Sequence, residues 1–502
     1  MKEEKKMRKR ILFFLMAVVV MFCFTGCSEV EDQALHDNNN SNKNEKVVKI
    51  KKWDSGISTD VLNMLIQGFE AKHPEYHVEV ESSSSSTELV RNFGLSDIDD
   101  TDLYFGVKKH NSDGYLEPLN DIFDSMADGD SKTLREKFNN DYLELETARD
   151  GNVYNLTYRG CIVGMFYNKE IFEEHGIKEL PRTTKELLEI CDILYSAGIP
   201  AFSQSVGNWE DYMSQTFFVQ YDGLDYVLNR FYGCTDENGN SPSLNVFMKE
   251  DGRYEAIKVI ASVLTPEYTS AGNEAAMLVG GTWRDSDEFY LMRSPVISSI
   301  KDKLTTVTTE SQLRKVISAI DSVTDGEVKI SAYQQGENYL VDDITVSAAD
   351  WAYIQAARNT MASNATGNSA YIPNYSDNIQ GAKEFLKYMY SDEGYTIYAN
   401  ALQELFPISL SKGKLDTSEW SEQKQQRAHI YETTEQIISI YNAGAHDIFV
   451  HGGATWKADI RVISNKFYLK DSSTRWSASD AWQHIVRYAQ TNYESAWIPS
   501  IQ

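Results

Sequence analysis

The sequence predicts an α/β fold of two lobes, and two observations lead to that prediction. The first is length, because from residue 47 onward about 455 residues remain, more than a single core usually holds. The second is the order strand, helix, strand, helix, strand over residues 47–106. That order builds a parallel sheet covered by helices.

The first of these elements are defined by the periodicity of their apolar residues. Val47–Trp53, Tyr76–Val80 and Thr101–Gly106 have the alternating or aromatic-rich pattern of strands. The helix between the first two strands has its apolar residues at the spacing i, i+3, i+4, i+7 of one helical face. These residues are Leu62, Leu65, Ile66 and Phe69.

Ligands of open α/β sheets bind beyond the carboxyl ends of the parallel strands. In this chain the loops at those ends begin at Trp53-Asp54, at Ser82 and at Tyr104-Phe105. Trp53, Asp54 and Tyr104 are therefore candidate ligand-binding residues. The serine run that starts at Ser82 either donates hydroxyls to a ligand or forms a solvated loop.

The stretch Gly151–Glu170 marks a change of composition. Val153–Tyr158 alternates like a half-buried strand, whereas Cys161–Tyr167 is an almost continuous apolar run, which is typical of a strand buried on both faces. The pattern fits an ordinary buried hairpin or a crossing between two lobes. Mostly helical sequence follows, starting with a capping box of Thr183 and Glu186. The polar stretch Ser298–Asn338 has the character of an insertion.

The N-terminus has the pattern of a secretory signal peptide. A basic segment is followed by the apolar run Ile11–Phe24 and then by Thr25-Gly26-Cys27. Phe24–Cys27 resembles the bacterial lipobox, in which the cysteine is lipidated, so Cys27 is the expected lipid anchor; the alternative is a simple signal peptide with a chance cysteine. Ser28–Lys46 has no apolar periodicity and is predicted to be a flexible tether.

The composition excludes several classes of function. A formal net charge of −26 argues against a nucleic-acid partner, which requires Lys and Arg at its backbone. His73 and His77 have the spacing of a helical metal pair, but Pro74 breaks the helix, so no metal site is predicted. No phosphate loop or nucleophile elbow is present. The three cysteines beyond residue 27, namely Cys161, Cys191 and Cys234, form no disulfide framework, although one bridge is compatible with the sequence.

Five stretches, in order, make the chain resemble the extracellular solute-binding proteins of ABC importers, of the maltose and oligosaccharide type. Thr157 and Thr184 depart from the family pattern, which has Pro and often Trp at these positions. The resemblance implies a type II periplasmic-binding-protein fold, in which two α/β lobes joined by a multi-strand hinge hold the ligand between them. The five stretches are Trp53-Asp54, Gly114–Leu119, Val153–Phe172 with Gly176–Thr183, Ala275–Trp283, and Ala382–Leu386 with Asp392–Gly394.

The resemblance also implies a division of the chain. The lobes would exchange near Tyr158, near Met277–Trp283 and near Tyr371–Ile379. The predicted parts are a signal peptide at 1–26; the lipidated cysteine and tether at 27–46; lobe 1 at 47–157 and about 285–375, with the insertion at about 298–340; and lobe 2 at 158–284 and about 376–502.

A sugar presents hydroxyls and apolar C–H faces, so its site needs aromatic rings and polar side chains. Trp283, which follows a double glycine, is the leading candidate, and Arg284 and Asp285 beside it could bond hydroxyls. In related sugar binders a Trp at this position lines the cleft. For each of these residues the alternative is structural packing. The other candidates are Trp456, Trp209, Tyr371 and Tyr158.

The resemblance implies a monomeric, lipid-anchored binding protein at the extracytoplasmic face of the cell membrane. It would capture a carbohydrate, of the oligosaccharide class, and deliver it to an ABC permease, with no cofactor, metal or catalytic residue. Two alternatives remain at this stage. One is a surface glycoside hydrolase, whose mark would be two cleft carboxylates roughly 5–10 Å apart. The other is a binding protein for a non-sugar solute.

Overall fold

Two β-sheets with covering helices form the framework of the chain. The computed structural model describes residues 46–501 except 139, 149, 160, 204–209, 234, 241–242, 244, 250–251, 272–273, 284–287, 327–331, 364–367 and 439–465. Within the described residues, no helix is both long and apolar enough to cross a bilayer.

The strands are numbered here in chain order. They are β1 (Lys46–Trp53), β2 (Tyr76–Ser83), β3 (Leu103–Gly106), β4 (Leu156–Thr157), β5 (Ile162–Asn168), β6 (Phe202–Ser203), β7 (Thr269–Ser270), β8 (Met277–Gly281), β9 (Phe289–Leu291), β10 (Ala332–Gln335), β11 (Asn338–Val341), β12 (Ile344–Ser347), β13 (Thr360–Ser363), β14 (Ser369–Tyr371) and β15 (Gln436–Ile438).

The α-helices are numbered in the same way, and shorter 3-10 and π segments lie at 111–113, 226–232 and 298–303. The helices are α1 (Thr59–Lys72), α2 (Ser86–Leu89), α3 (Asn120–Phe123), α4 (Leu134–Lys137), α5 (Asn140–Glu146), α6 (Lys169–Glu174), α7 (Thr184–Ser196), α8 (Glu210–Asp222), α9 (Asn245–Met248), α10 (Gly252–Val263), α11 (Glu310–Thr324), α12 (Ala348–Arg358), α13 (Ile379–Met389), α14 (Asp392–Leu402), α15 (Glu422–Glu432) and α16 (Ala478–Ile501).

The first sheet has the strand order β2-β1-β3-β14-β4 and forms lobe 1. Its β1, β2 and β3 are parallel, as the strand–helix alternation predicts, and β14 runs antiparallel to both β3 and β4. Helix α1 begins at Ser58, whose hydroxyl accepts a hydrogen bond from the Val61 backbone. Its predicted apolar face is buried and packs with residues of α13 and α14 into one core.

The second sheet has the strand order β15-β13-β5-β8-β6-β7, with β9 paired to β5, and forms lobe 2. The predicted apolar run becomes β5, which lies near the middle of the sheet and is antiparallel to both β13 and β8. Helix α7 begins with the predicted capping box of Thr183 and Glu186. A separate antiparallel sheet is formed by β10, β11 and β12.

The prediction of two α/β lobes joined by several crossing segments is confirmed. The chain leaves the first sheet after β4, returns to it at β14, and enters the second sheet again at β15. The hairpin interpretation of Gly151–Glu170 is wrong, because β4 and β5 belong to different sheets. The crossing expected near Met277–Trp283 is also wrong, since residues 277–281 form β8 inside the second sheet.

The later part of the chain is divided between the lobes differently from the prediction. Most of the segment 285–375 belongs to lobe 2, because β9 and β13 join its sheet and the apolar face of α11 packs into its core. Residues 379–402 belong to lobe 1, where α13 and α14 cover the first sheet. The predicted insertion at 298–340 thus packs on lobe 2. The amphipathic pattern of these helices was visible, but it carries no information about which sheet they cover.

Candidate ligand-binding crevice

The carboxyl ends of the strands of lobe 1 lie at one edge of the sheet. In the strand register Trp53 pairs with Ser83, Lys52 with Phe105, and Ser369 with both Gly106 and Thr157. Parallel strands therefore end at this edge, beside the first residues of the crossing segment 158–161. Such an edge is where open α/β sheets bind ligands.

The facing edge of lobe 2 is formed by the ends of β8 and β13 and the start of β5. Gly281 pairs with Val163, and Ser363 pairs with Ile162. Along the chain, four residues connect β4 to β5 (the first crossing segment) and five residues, of which the structure describes Asn368, connect β13 to β14 (the second crossing segment). The two edges are therefore neighbours in the chain at both connections, and we place the candidate site in the crevice that they border.

Trp53 and Asp54 lie at the lobe 1 edge, as predicted from their place at the end of β1. Trp53 is half-buried and packs on an apolar cluster that includes Leu89 and Tyr104. The Asp54 carboxylate is exposed and lies 2.7 Å from the Lys52 ammonium. A hydrogen bond from this ammonium, together with its charge, lowers the pKa of Asp54 below its usual range. Trp53 and Asp54 together present an apolar ring beside a charged acceptor.

Two further charged groups at this edge were not predicted. Lys52 is almost fully buried and also donates a hydrogen bond to the Ile57 carbonyl at 3.1 Å. This bond stabilises the turn that follows Trp53. Lys108, two residues beyond β3, forms a buried ion pair with Glu146 at 2.9 Å. The sequence indicated the role of Lys52 only through its place at an inward position of the alternating β1 pattern. This indication is ambiguous, because lysines also occupy solvent-facing positions of strands.

Tyr104 and Tyr371 do not line the crevice, contrary to the prediction. Their side chains are completely buried, and their rings stack on each other with centroids 5.3 Å apart. The Tyr104 hydroxyl donates to the buried Asp99 carboxylate at 2.8 Å. The two residues are paired across β3 and β14, so their rings meet on one face of the sheet and pack the interior of lobe 1.

Tyr158 is also enclosed rather than exposed to a ligand. Its ring packs edge-on against Phe105 at 5.1 Å, and a methyl group added at Gly56 would overlap its hydroxyl oxygen. The residue follows β4 directly, which places its side chain beneath the turn after β1. Only a glycine at position 56 leaves room for it.

Several buried polar atoms at the lobe 1 edge have no hydrogen-bond partner within the described part of the chain. They lie in the second crossing segment, in β14 and immediately after β4. Buried polar groups are nearly always paired, with protein, water or ligand, so such a concentration is unusual. The atoms are the hydroxyl oxygens of Tyr158, Ser369 and Tyr371 and the side-chain oxygen of Asn368.

Trp283 lies at the lobe 2 edge, two residues after β8. Its ring is half-buried and covers Gly281, where an added methyl group would overlap the ring atoms. The apolar cluster beneath it includes Val163 and Ala362 of the neighbouring strands. Gly281 therefore allows a close approach of the ring to the strand backbone, and the indole lies at the edge of the sheet.

Four predicted binding residues and the predicted lipidation site lie outside the described residues. They are Trp209, Arg284, Asp285, Trp456 and Cys27. The crevice brings together Trp53, Asp54 and Trp283 as half-buried or exposed side chains on its two edges. Within the described residues no three His, Cys, Asp or Glu side chains converge on a common point.

Comparison with known families settles what kind of protein has this arrangement. The model of the family described as bacterial extracellular solute-binding protein matches residues 55–396. The chain belongs to this family. The predicted resemblance is thereby confirmed, and the match spans most of both lobes of this solute-binding protein. A comparison with curated protein sequences finds no match.

Solved structures with the same fold include several sugar receptors. The bacterial solute receptor AcbH, described as preferring β-D-galactopyranose, has a TM-score of 0.56 at 12% identity, covering 89% of this chain and 99% of its own. RafE from Streptococcus pneumoniae has a TM-score of 0.55 at 14% identity, covering 90% and 100%. Lmo0181 from Listeria monocytogenes, solved with cycloalternan, has a TM-score of 0.54 at 13% identity, covering 90% and 100%. They confirm the type II periplasmic-binding-protein fold of the solute-binding protein.

Proposed function

We propose that this protein captures a carbohydrate of the oligosaccharide class between its two lobes and delivers it to an ABC permease. The observation that carries the proposal is the placement of one half-buried indole on each edge of the crevice, Trp53 on lobe 1 and Trp283 on lobe 2. Aromatic rings at the edges of a closing cleft suit the apolar faces of a sugar.

Polar groups at the same edge support a polyhydroxylated ligand. Asp54 offers a charged acceptor beside Trp53, and the side-chain oxygen of Asn368, in the second crossing segment, has no hydrogen-bond partner among the described residues. Closure of the lobes would add contacts that exist only in the closed state, so ligand would shift the population toward that state. This mechanism requires no covalent step.

A glycan screen on the chain from Lys46 onward tests the proposal. The panel contains β-galactose, maltose, raffinose, chitin oligosaccharides and cycloalternan, together with peptides and polyols as non-sugar solutes. We expect at least one sugar to raise the unfolding temperature and to give a calorimetric binding isotherm. Binding of only a peptide or polyol would contradict the sugar assignment, and release of a cleaved glycan would favour a glycoside hydrolase.

Substitution of the two indoles assigns the ligand to the crevice. Trp53→Ala and Trp283→Ala should each raise Kd for the sugar found in the screen at least tenfold, which corresponds to about 1.4 kcal/mol of binding free energy. Tyr195→Ala is the matched control, because this tyrosine is 54% exposed on α7 of lobe 2. An unchanged Kd in both tryptophan variants would place the ligand elsewhere.

The proposal includes a lipid anchor at Cys27 and a monomeric state. The apolar run Ile11–Phe24 with Gly26-Cys27 supports lipidation, and the tether Ser28–Lys46 would let the binding lobes reach a membrane permease. Mass spectrometry of the protein from its native membrane should find a diacylglyceryl cysteine at the N-terminus. The Cys27→Ala variant should lack this modification, and a wild-type protein without the diacylglyceryl mass would contradict the anchor.

A further inference from the structure

Glu404 lies where the two lobes and the first crossing segment meet. It follows α14 of lobe 1, and its side chain is only 9% exposed. One carboxylate oxygen accepts from the Arg159 guanidinium at 3.2 Å, and the other accepts from the Thr282 hydroxyl at 2.7 Å. Arg159 belongs to the crossing segment and Thr282 to lobe 2, so two hydrogen bonds of this carboxylate connect lobe 1 to both of them.

The charges around Glu404 show how strongly this carboxylate is coupled to the crossing segment. Burial, the largest single effect, disfavours the charged form of Arg159, but the Glu404 carboxylate together with Cys161 and Tyr398 favours it, and the pKa of Arg159 is raised. Burial and the negative charge of Glu404 together raise the pKa of the Cys161 thiol. The ion pair is therefore partly desolvated, and loss of either partner would leave a buried charge.

The turn before Glu404 has an unusual backbone. Gln403 ends α14 in the left-handed conformation with φ of 49°, which a residue with a Cβ rarely adopts. Its side chain accepts a hydrogen bond from the Ser421 backbone at 3.2 Å. Backbone strain of this kind persists where the surrounding structure enforces it and is concentrated at functional sites. Here it turns the chain so that Glu404 points back toward the crossing segment.

Thr282 connects this carboxylate to the crevice. Its backbone N–H donates to the Ile162 carbonyl at 2.9 Å, and its carbonyl accepts from Arg427 at 3.4 Å. Trp283 is the next residue, and its ring covers Gly281 on the other side of Thr282. Hydrogen bonds to Ile162 and Arg427 hold the backbone of Thr282, and a hydrogen bond to Glu404 holds its side chain. The residue that directly precedes Trp283 is therefore fixed in both its backbone and its side chain.

We propose that Glu404 is a positioning residue: through Thr282 it fixes the indole of Trp283 at the crevice edge, and through Arg159 it ties that position to the segment that joins the lobes. A change of the angle between the lobes would then move the Trp283 ring. The inference rests on the proposed role of Trp283 in ligand contact, but its test requires no ligand, so failure of sugar binding and failure of this inference are separate results.

The test is 19F NMR of the full-length protein labelled with 5-fluorotryptophan in the absence of ligand. The sequence has nine tryptophans, and Trp283→Phe and Trp351→Phe identify the resonances of these two. Trp351 is the reference because its ring stacks on Tyr339 at 4.4 Å within lobe 2. Glu404→Ala and Thr282→Val should each shift the Trp283 resonance by more than its linewidth and leave the Trp351 resonance in place.

Conservative variants separate positioning from general damage. Thr282→Ser keeps the hydroxyl and should restore the wild-type resonance of Trp283, and Glu404→Gln, which keeps an acceptor but loses the charge, should shift it less than Glu404→Ala. Glu419→Gln is the control, because Glu419 is an exposed carboxylate of the same region. If Glu404→Ala does not fold, the two Thr282 variants test the same contact. A Trp283 resonance unmoved by Thr282→Val, or one that moves only together with Trp351, would overturn the proposal.

Discussion

Lobe 1 forms its edge of the crevice mainly from strands that are close together in the sequence, whereas lobe 2 assembles its edge from distant segments. Residues 46–106 supply three of the strand ends of the first sheet. The second edge combines Ile162, Gly281 and Ser363. The lobe 1 edge has its tyrosines sealed in the interior, and the lobe 2 edge has an indole lying over a glycine at the surface. The first edge is thus tightly packed, and the second has a half-buried ring at its surface.

Removal of a buried tyrosine should show the largest difference between the two edges. Tyr371→Ala deletes a ring that is fully buried and stacked on Tyr104, so the free energy of unfolding should fall by about 3–5 kcal/mol. Trp283→Ala deletes a larger but half-buried ring of lobe 2 and should cost less. Urea titration followed by circular dichroism measures both values.

The control for this comparison is Tyr115→Ala, which removes a ring of lobe 1 that is 42% exposed. Its effect should be about 1 kcal/mol or less. If Tyr371→Ala lowers the free energy of unfolding as little as Tyr115→Ala does, the lobe 1 edge is not tightly packed.

Adding one methyl group to each edge should sharpen the same comparison. Gly56→Ala pushes a Cβ against the enclosed Tyr158 hydroxyl, which has no space to move, so overpacking should cost about 1–3 kcal/mol. Gly281→Ala pushes a Cβ against the Trp283 ring, which is half-buried and therefore less enclosed than Tyr158, and should cost less than Gly56→Ala. Urea titration gives the stabilities, and tryptophan fluorescence should change in Gly281→Ala.

The reverse order of stabilities would contradict this interpretation of the two glycines. Gly233→Ala is not a suitable reference, because a Cβ there would meet the Asn229 carbonyl. Gly164→Ala is the better control, since a Cβ at this β5 position makes only tight contacts with flexible side-chain ends of Leu291 and Met361.

The smallest expected effect concerns acid stability and the Asp54 carboxylate. Its pKa is lowered in the folded protein by the Lys52 ammonium, so its contribution to stability is present above the unfolded pKa of about 3.9 and is lost as pH falls through the lower folded value. Asp54→Asn should therefore reduce stability near neutral pH slightly and flatten its decline in that acidic window. A decline as steep as that of the wild type would contradict the lowered pKa. Unfolding temperature measured against pH provides the comparison.

Local patterns predicted the parts of the fold that depend on neighbours in the sequence. The alternation of Val47–Trp53, the face of α1 and the capping box at Thr183 all reappear in the structure. Trp53 and Asp54 were found because a strand end in a parallel sheet identifies an edge without knowledge of the third dimension.

Such local patterns could not predict contacts between segments that are distant in the sequence. The burial of Tyr104 by Tyr371 depends on β14 pairing with β3, and the same sequence spacing would have allowed an exposed ring. Glu404 has no motif around it, and its contact with Thr282 joins residues of different lobes. The assignment of α11 to lobe 2 likewise depends on which sheet its apolar face meets, and an amphipathic helix fits either sheet.

The position of β14 has a consequence for the order in which the chain can fold. This strand lies between β3 and β4 in the first sheet, yet residues 162–363 of the second lobe separate it from both in the chain. The ribosome therefore completes the sheet of lobe 1 only after it has synthesised most of lobe 2. Until then β3 pairs only with β1 and has one open edge, and β4 lacks β14, the strand with which it pairs. Such long-range pairing slows folding. A chain truncated before residue 369 would lack a native first lobe, so the N-terminal lobe of this protein is not an independent folding unit.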